Sequence, residues 1–194
     1  MIISPSKPKV YTPEEYLTLE TSSEIRNEYR NGEITPMTGG TPAHNQIISA
    51  LNALLWFGLR GKNYSIFVTD QRLWIPDKNL YTYPDVMVIQ NPLQLQTGRK
   101  DTVINPLLIA EVLSDSTKAY DRDEKFAAYR TVSTFQEYFL IEQSSPHIEQ
   151  YIKQADRQWL FREYDGLESK IQLHSVSLEL ALADLYENID FSVE

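Results

Sequence analysis

Two acids on neighbouring apolar runs, followed by a lysine, are the residues of this 194-residue chain whose types and spacing suit chemistry. Asp85 stands in Pro84-Asp85-Val86-Met87-Val88-Ile89, Glu111 interrupts Leu107-Leu108-Ile109-Ala110-Glu111-Val112-Leu113, and Lys125 lies in the next segment. An ionised carboxylate in an apolar setting is costly unless it is paired, hydrogen-bonded or bound to a metal. Two such acids call for a shared partner, and a divalent cation meets that need. Acids near the ends of adjacent strands converge on a hard ion through oxygen, and the backbone carbonyl of Val112 offers another oxygen ligand. Magnesium or manganese suits such a donor set. The ion would polarise a phosphoryl oxygen and lower the pKa of a bound water, while the Lys125 ammonium positions that water or stabilises transition-state charge. The chemistry indicated is metal-dependent phosphodiester hydrolysis. Each residue also has a structural alternative: Asp85 can end a strand, Glu111 can form a buried ion pair with Lys125, and Lys125 can belong to an exposed Asp121–Lys125 helical pair. A buried pair accounts for one acid and leaves the other needing a cation.

Composition narrows the options. Without cysteine there is no disulfide, thiolate ligand or cysteine nucleophile, so a metal is held by oxygen or by His44, His147 or His174. No Gly-rich phosphate loop, Gly-x-Ser-x-Gly elbow or paired-histidine zinc motif is present. The net charge of −9 argues against broad, non-specific nucleic-acid binding, although Lys118, Arg122, Lys125 and Arg130 make one segment locally basic. The longest apolar runs fall short of the roughly 20 residues that span a bilayer, and the first residues lack a signal-peptide core, so the expectation is a cytoplasmic protein without a membrane partner. A chain of this length is expected to form one domain, residues 11–194, after a flexible arm, residues 1–10.

The elements that position the acids follow from local patterns. Thr12-Pro13-Glu14-Glu15 reads as a helix start, and Asn31-Gly32 as the tight turn of a hairpin beginning near Asn27. Ile47, Leu51, Leu54 and Leu55 recur at helical spacing within a helix predicted from Ala43 to Leu59. Strands are expected from Tyr64 to Ile75, from Tyr81 to Ile89 and from Leu107 to Leu113, the last apolar enough to be central, with Asn91 to Val103 as a polar loop. Asp121 and Glu124 have capping-box-like spacing at the start of a helix carrying Lys125, Phe126 and Tyr129. Four strand-like runs follow, Glu137 to Glu142, His147 to Lys153, Gln158 to Tyr164 and Lys170 to Leu173, and a short helix is expected after Leu178.

Taken together, the Pro84-Asp85 run, Ile109-Ala110-Glu111-Val112-Leu113-Ser114-Asp115-Ser116-Thr117, the helix with Lys125 and Tyr129, and Glu137-Tyr138-Phe139-Leu140-Ile141 resemble the Uma family of restriction-type endonucleases. That family is a branch of the PD-(D/E)XK nuclease superfamily. Glu28-Tyr29-Arg30-Asn31-Gly32-Glu33-Ile34 and His44-Asn45 fit the same pattern, and the resemblance runs from about Tyr11 to Tyr186. It implies an α/β, restriction-endonuclease-like core, a mixed β-sheet flanked by helices with additional antiparallel strands. It also implies a metal-dependent endodeoxyribonuclease in which Asp85 and Glu111 hold magnesium and Lys125 is the catalytic lysine. The residue two after Glu111 is Leu113, not lysine, so the lysine's role passes to Lys125 on the following helix. Glu28, or Glu33 in its place, is a candidate third carboxylate, and His44 a candidate contact to phosphate or attacking water. DNA is the expected substrate, and a homodimer is expected by family analogy. Specificity would come from the loop Asn91 to Val103 or the N-terminal hairpin. The competing reading is a catalytically silent module that keeps the nuclease fold to bind nucleic acid or a protein.

Overall fold

The computed structural model describes residues 9–192. The expected arm, residues 1–10, therefore lies outside the described residues except for Lys9 and Val10, which are exposed. Helix α1 (Pro13–Ser22) starts as its sequence suggests: Thr12 Oγ1 accepts from the Glu15 N–H and the Glu15 carboxylate accepts from the Thr12 N–H. Strands β1 (Asn27–Arg30) and β2 (Glu33–Pro36) form the hairpin, with Asn31 at φ 49° and Gly32 at φ 97°. Helix α2 (Pro42–Gly58), capped by Thr41, buries Ile47, Ile48, Leu51 and Leu55.

Two of the expected strands are each divided. Tyr64 to Ile75 forms β3 (Tyr64–Val68) and β4 (Arg72–Ile75), which belong to different sheets; the chain turns at Thr69, where φ is 46°. After a 3-10 turn at Pro76–Lys78, Tyr81 to Ile89 likewise becomes the end of β5 (Leu80–Thr82) and most of β6 (Val86–Gln90). Tyr83-Pro84-Asp85 crosses from one sheet to the other. Pro84 has no N–H to give to a ladder, which favours a break in pairing at this point. Asp85 is thus at the junction of two sheets, not within a strand.

The polar loop closes with β7 (Thr102–Val103), and β8 (Leu108–Leu113) follows. The next helix begins earlier than its charge pattern suggests. It runs as α3 (Lys118–Tyr120), a wide π-turn over Asp121–Lys125, and α4 (Phe126–Tyr129). Asp121 is therefore inside the helix and not its cap. Strands β9 (Glu137–Glu142), β10 (His147–Ala155), β11 (Gln158–Asp165), β12 (Lys170–Leu173) and β13 (Leu178–Ala181) precede α5 (Leu182–Leu185).

The main sheet has the order β11-β10-β9-β8-β6-β3 and is mixed, since β8 runs parallel to β9 and antiparallel to β6. A second sheet has the order β2-β1-β5-β4-β7, and β12 pairs with β13. Every residue of β8 is buried, as the central position requires. Its Leu108, Ala110 and Val112 pack with α2, β12 and α5, while Ile109 and Leu113 pack with Phe126, Tyr129 and Phe135. By the two-residue period of a strand, Glu111 shares the second face and meets the helix that carries Lys125.

Candidate active site

The two acids first considered from sequence are joined by reciprocal hydrogen bonds. Asp85 Oδ2 accepts from the Val112 N–H at 2.8 Å, and Glu111 Oε2 accepts from the Asp85 N–H at 3.1 Å. The entry to β6 and the end of β8 are thereby tied at the point where both carboxylates sit. His44, in the first turn of α2, brings Nε2 to 3.2 Å from Asp85 Oδ2. Lys125 Nζ and the Tyr129 hydroxyl both donate to Glu111 Oε1, at 3.1 and 2.6 Å. Lys125 Nζ also lies 2.9 Å from Asp121 Oδ1. Glu28, on β1, accepts from Thr82 Oγ1 at 2.7 Å and from the Tyr120 hydroxyl. Arg30, also on β1, pairs with Glu124, so the hairpin is laced to the helix that holds Lys125.

The acids Glu28, Asp85, Glu111 and Asp121, with His44, Tyr120 and Lys125, line one cavity of about 350 Å3, to whose wall Thr41, Ser114, Ser116 and Thr117 also belong, while Tyr129 stands behind Glu111. Glu28, His44, Asp85, Glu111, Val112 and Lys125 all reach it. Glu33 is exposed on β2 and does not line it. His147 instead pairs with Asp165, and His174 is in contact with Arg162. The locally basic segment is largely compensated: Lys118 pairs with Asp115 and Arg122 with Glu149, while the Arg130 guanidinium lies over the Phe126 ring.

Sequence reasoning missed Asp121, Tyr120 and Tyr129 as members of the site. The signal for Asp121 was its four-residue spacing from Lys125, which suggested an exposed pair, whereas the side chains are only 3% and 9% exposed. The Tyr129 hydroxyl had no separate signal because its ring also serves the apolar face.

Burial and charge set the protonation of these groups. Burial pushes the Glu111 carboxyl up, against the pull of Lys125. Burial works to lower the Lys125 ammonium, but Glu111 and Asp121 outweigh it and hold Lys125 well above its ordinary value. For His44, burial is likewise outweighed by the hydrogen bond and charge of Asp85, so the imidazole is raised. Burial raises the Tyr129 phenol well above its ordinary value, reinforced by Glu111 beside it. Tyr129 is therefore a hydrogen-bond donor at neutral pH.

Residues 13–185, from the first residue of α1 to the last of α5, match the family model Uma2, described as "Putative restriction endonuclease". Among similar proteins, the uncharacterized protein sll1609 of Synechocystis sp. is 42% identical over 164 residues, covering 84% of this chain and 93% of that protein. The uncharacterized protein slr1290 of the same organism is 36% identical over 191 residues, covering 97% and 98%. The crystal structure titled as a "putative nuclease belonging to DUF820" from Anabaena variabilis matches with a TM-score of 0.73 over 91% of this chain and 98% of that one. Identity to it is 18%, so this match concerns the fold. With sequence and fold in agreement over nearly the whole chain, the protein belongs to the Uma2 restriction-endonuclease-type family and has a nuclease-like α/β fold.

Proposed function

We propose that the protein is a divalent-metal-dependent endonuclease that hydrolyses DNA phosphodiester bonds, with Mg2+ as its ion and Mn2+ as a substitute. The observation that carries this reading is the charge of the cavity. Its ionisable lining is four acids, Glu28, Asp85, Glu111 and Asp121, against one lysine, Lys125, and one histidine, His44. Even with His44 protonated, a cavity whose acids are ionised repels a phosphodiester unless cationic charge is brought in.

The residues present fit such an ion by the chemistry of their donors. Asp85 and Glu111 offer hard oxygen ligands, and Val112, whose N–H donates to Asp85, lines the same cavity. No group of three or more His, Asp or Glu side chains suited to hold a metal occurs among the described residues. A two-carboxylate set agrees with Mg2+, which retains several waters and is commonly held by one or two carboxylates together with substrate phosphate. Restriction-endonuclease-like families generally use divalent metals, consistent with this donor set.

When bound, the ion would polarise a phosphoryl oxygen and lower the pKa of a water. Asp85 and Glu111 would hold it, with the Val112 carbonyl as a third oxygen. The Lys125 ammonium, fixed against Glu111, brings positive charge to the developing phosphorane or orients the attacking water. His44, 3.2 Å from Asp85 Oδ2, would meet the incoming phosphate or the attacking water. Glu28, bridging Thr82 and Tyr120, keeps the hairpin over the cavity. A homodimer acting on both strands of a duplex belongs to this proposal through the family resemblance.

A second reading, a silent nucleic-acid or protein-binding module, is favoured on its protein-binding side by one observation: exposed Lys118 and half-buried Arg122 already have acidic partners. Cleavage of supercoiled plasmid with Mg2+ or Mn2+ at low salt separates the readings. Nicking by the wild type that is lost in both Glu111→Ala and Lys125→Ala supports the nuclease and the relocated lysine. A wild type inert toward supercoiled, linear and single-stranded DNA supports the module.

A further inference from the structure

One buried acid of the cavity is held almost entirely by the lysine of the site. Asp121 is 2% exposed, and its Oδ1 is buried without a hydrogen-bond partner among the described residues. The close charge contact it makes is with Lys125 Nζ, four residues on, at 2.9 Å. Glu137 shows what a structural buried acid looks like in this fold. It is fully buried, and its carboxylate accepts from Gln150 Nε2, the His174 and Ser175 N–H groups and Ser175 Oγ, at 2.6 to 3.0 Å. Burial of a carboxylate is tolerated when its lone pairs are engaged in this way, whereas what engages Asp121 Oδ1 is the Lys125 ammonium.

Lys125 also has Glu111 at 3.1 Å, so its ammonium faces two acids at once. The two acids differ in where they stand. Glu111 is on β8 beside Asp85, within the donor set assigned above to the cation, whereas Asp121 is on the helix, on the lysine's own element. A divalent ion that draws on Glu111 both weakens that acid's hold on Lys125 and repels the ammonium. Asp121 is then the anion left to retain it.

We propose that Asp121 is a positioning residue whose carboxylate keeps the Lys125 ammonium in the cavity when Glu111 is engaged by a divalent cation. The proposal rests on the nuclease reading of the site. Two further features fit it. The helix widens into a π-turn over Asp121–Lys125, a distortion often found at functional sites and one that places both residues on the buried side. The Tyr138 hydroxyl donates to the Asp121 carbonyl at 3.1 Å and fixes the backbone from which the carboxylate projects.

Asp121→Asn preserves shape and removes charge, and it is compared in wild-type and Lys125→Gln backgrounds. With Mn2+ and plasmid, turnover is expected to fall about 10- to 100-fold, the range for groups that orient a primary site residue, while KM for DNA changes by less than about twofold. In the Lys125→Gln background the same change should cost nothing further, because a residue acting through the lysine has no effect once it is gone. Equal losses in the two backgrounds, or undiminished turnover, overturn the proposal. Mn2+ affinity, measured by calorimetry without DNA, should be unchanged; a tenfold weakening would make Asp121 a ligand and also overturn it. If the wild type cleaves no DNA, the nuclease reading fails separately, and the positioning role is judged by 15N NMR of the lysine ammonium groups in Mn2+-free, Mg2+-saturated protein. A slowly exchanging Lys125 signal present in the wild type and lost in Asp121→Asn supports the role; its persistence, or its absence from the wild type, overturns it.

Discussion

Glu111 draws together more of the site than any other side chain. It is the polar interruption of a fully buried strand, and its two oxygens receive the Asp85 N–H, Lys125 and the Tyr129 hydroxyl. The fixed donors limit where the carboxylate can turn, which is what pre-organisation of a charged site requires. Tyr129→Phe keeps the ring packed against Phe135 and Tyr138 while removing one donor to a buried acid. It should lower stability by about 1.5–3 kcal/mol, the range for hydrogen bonds to charged groups, measured as a reduced urea midpoint with unchanged slope. An unchanged midpoint would mean that Glu111 finds another donor. The residue scale also explains why three histidines yield one candidate: only His44 faces an acid of the cavity, at Asp85.

At the scale of elements, placement depends on breaks as much as on regular structure. The expected strand from Tyr81 to Ile89 changes sheets at Tyr83-Pro84-Asp85, so Asp85 escapes the pairing that would point it along one sheet face. The β1–β2 hairpin brings Glu28 and Arg30 to the helix carrying Lys125, and its turn depends on Gly32 at φ 97°. Gly32→Ala should destabilise the protein by about 1–2 kcal/mol, the cost of a left-handed conformation for a residue with a Cβ. The added atom would also stand 2.4 Å from Val10 Cγ1. Thermal unfolding reads this directly, and a melting temperature equal to that of the wild type would show that the turn relaxes without strain. Asn31, at φ 49°, needs no such change because its short polar side chain tolerates that region.

At the scale of the whole molecule, the cavity lies where the two large sheets meet the ends of α2 and the π-turn helix. Glu28 comes from the second sheet, Asp85 from the crossing, Glu111 from the main sheet, and His44 and Lys125 from helices on either side. A cation bound there links these parts and should stabilise the assembled fold against unfolding. At 100 times its Kd, Mn2+ should add about 2.7 kcal/mol, a rise of roughly 5–10 °C in melting temperature for a chain of this size. Asp85→Ala should remove most of that rise. An equal rise in Asp85→Ala and wild type would place the bound ion elsewhere.

The sequence by itself determined the local elements whose signals are short-range: the Thr12 cap, the Asn31-Gly32 turn, the amphipathic α2 and the buried β8. It also singled out Asp85 and Glu111, because a carboxylate within an apolar run is conspicuous from its neighbours alone, and Lys125 as the cation in the next segment, while Glu28 and His44 entered through the family resemblance. What it could not determine were the sheet assignments of β3 to β6, the incorporation of Asp121 into a buried helix, and the choice of Glu28 over Glu33. Alternating apolar residues announce a strand without naming its partner, since pairing is fixed by side chains distant in sequence. The i,i+4 spacing of Asp121 and Lys125 is the same on an exposed face as on a buried one. Only tertiary packing, with Phe126 and Tyr129 seated on β8 and its neighbours, turned that face inward. Glu28 and Glu33 fall on paired strands of one hairpin, and the docking of β1 beside β5 decided that Glu28 faces the cavity.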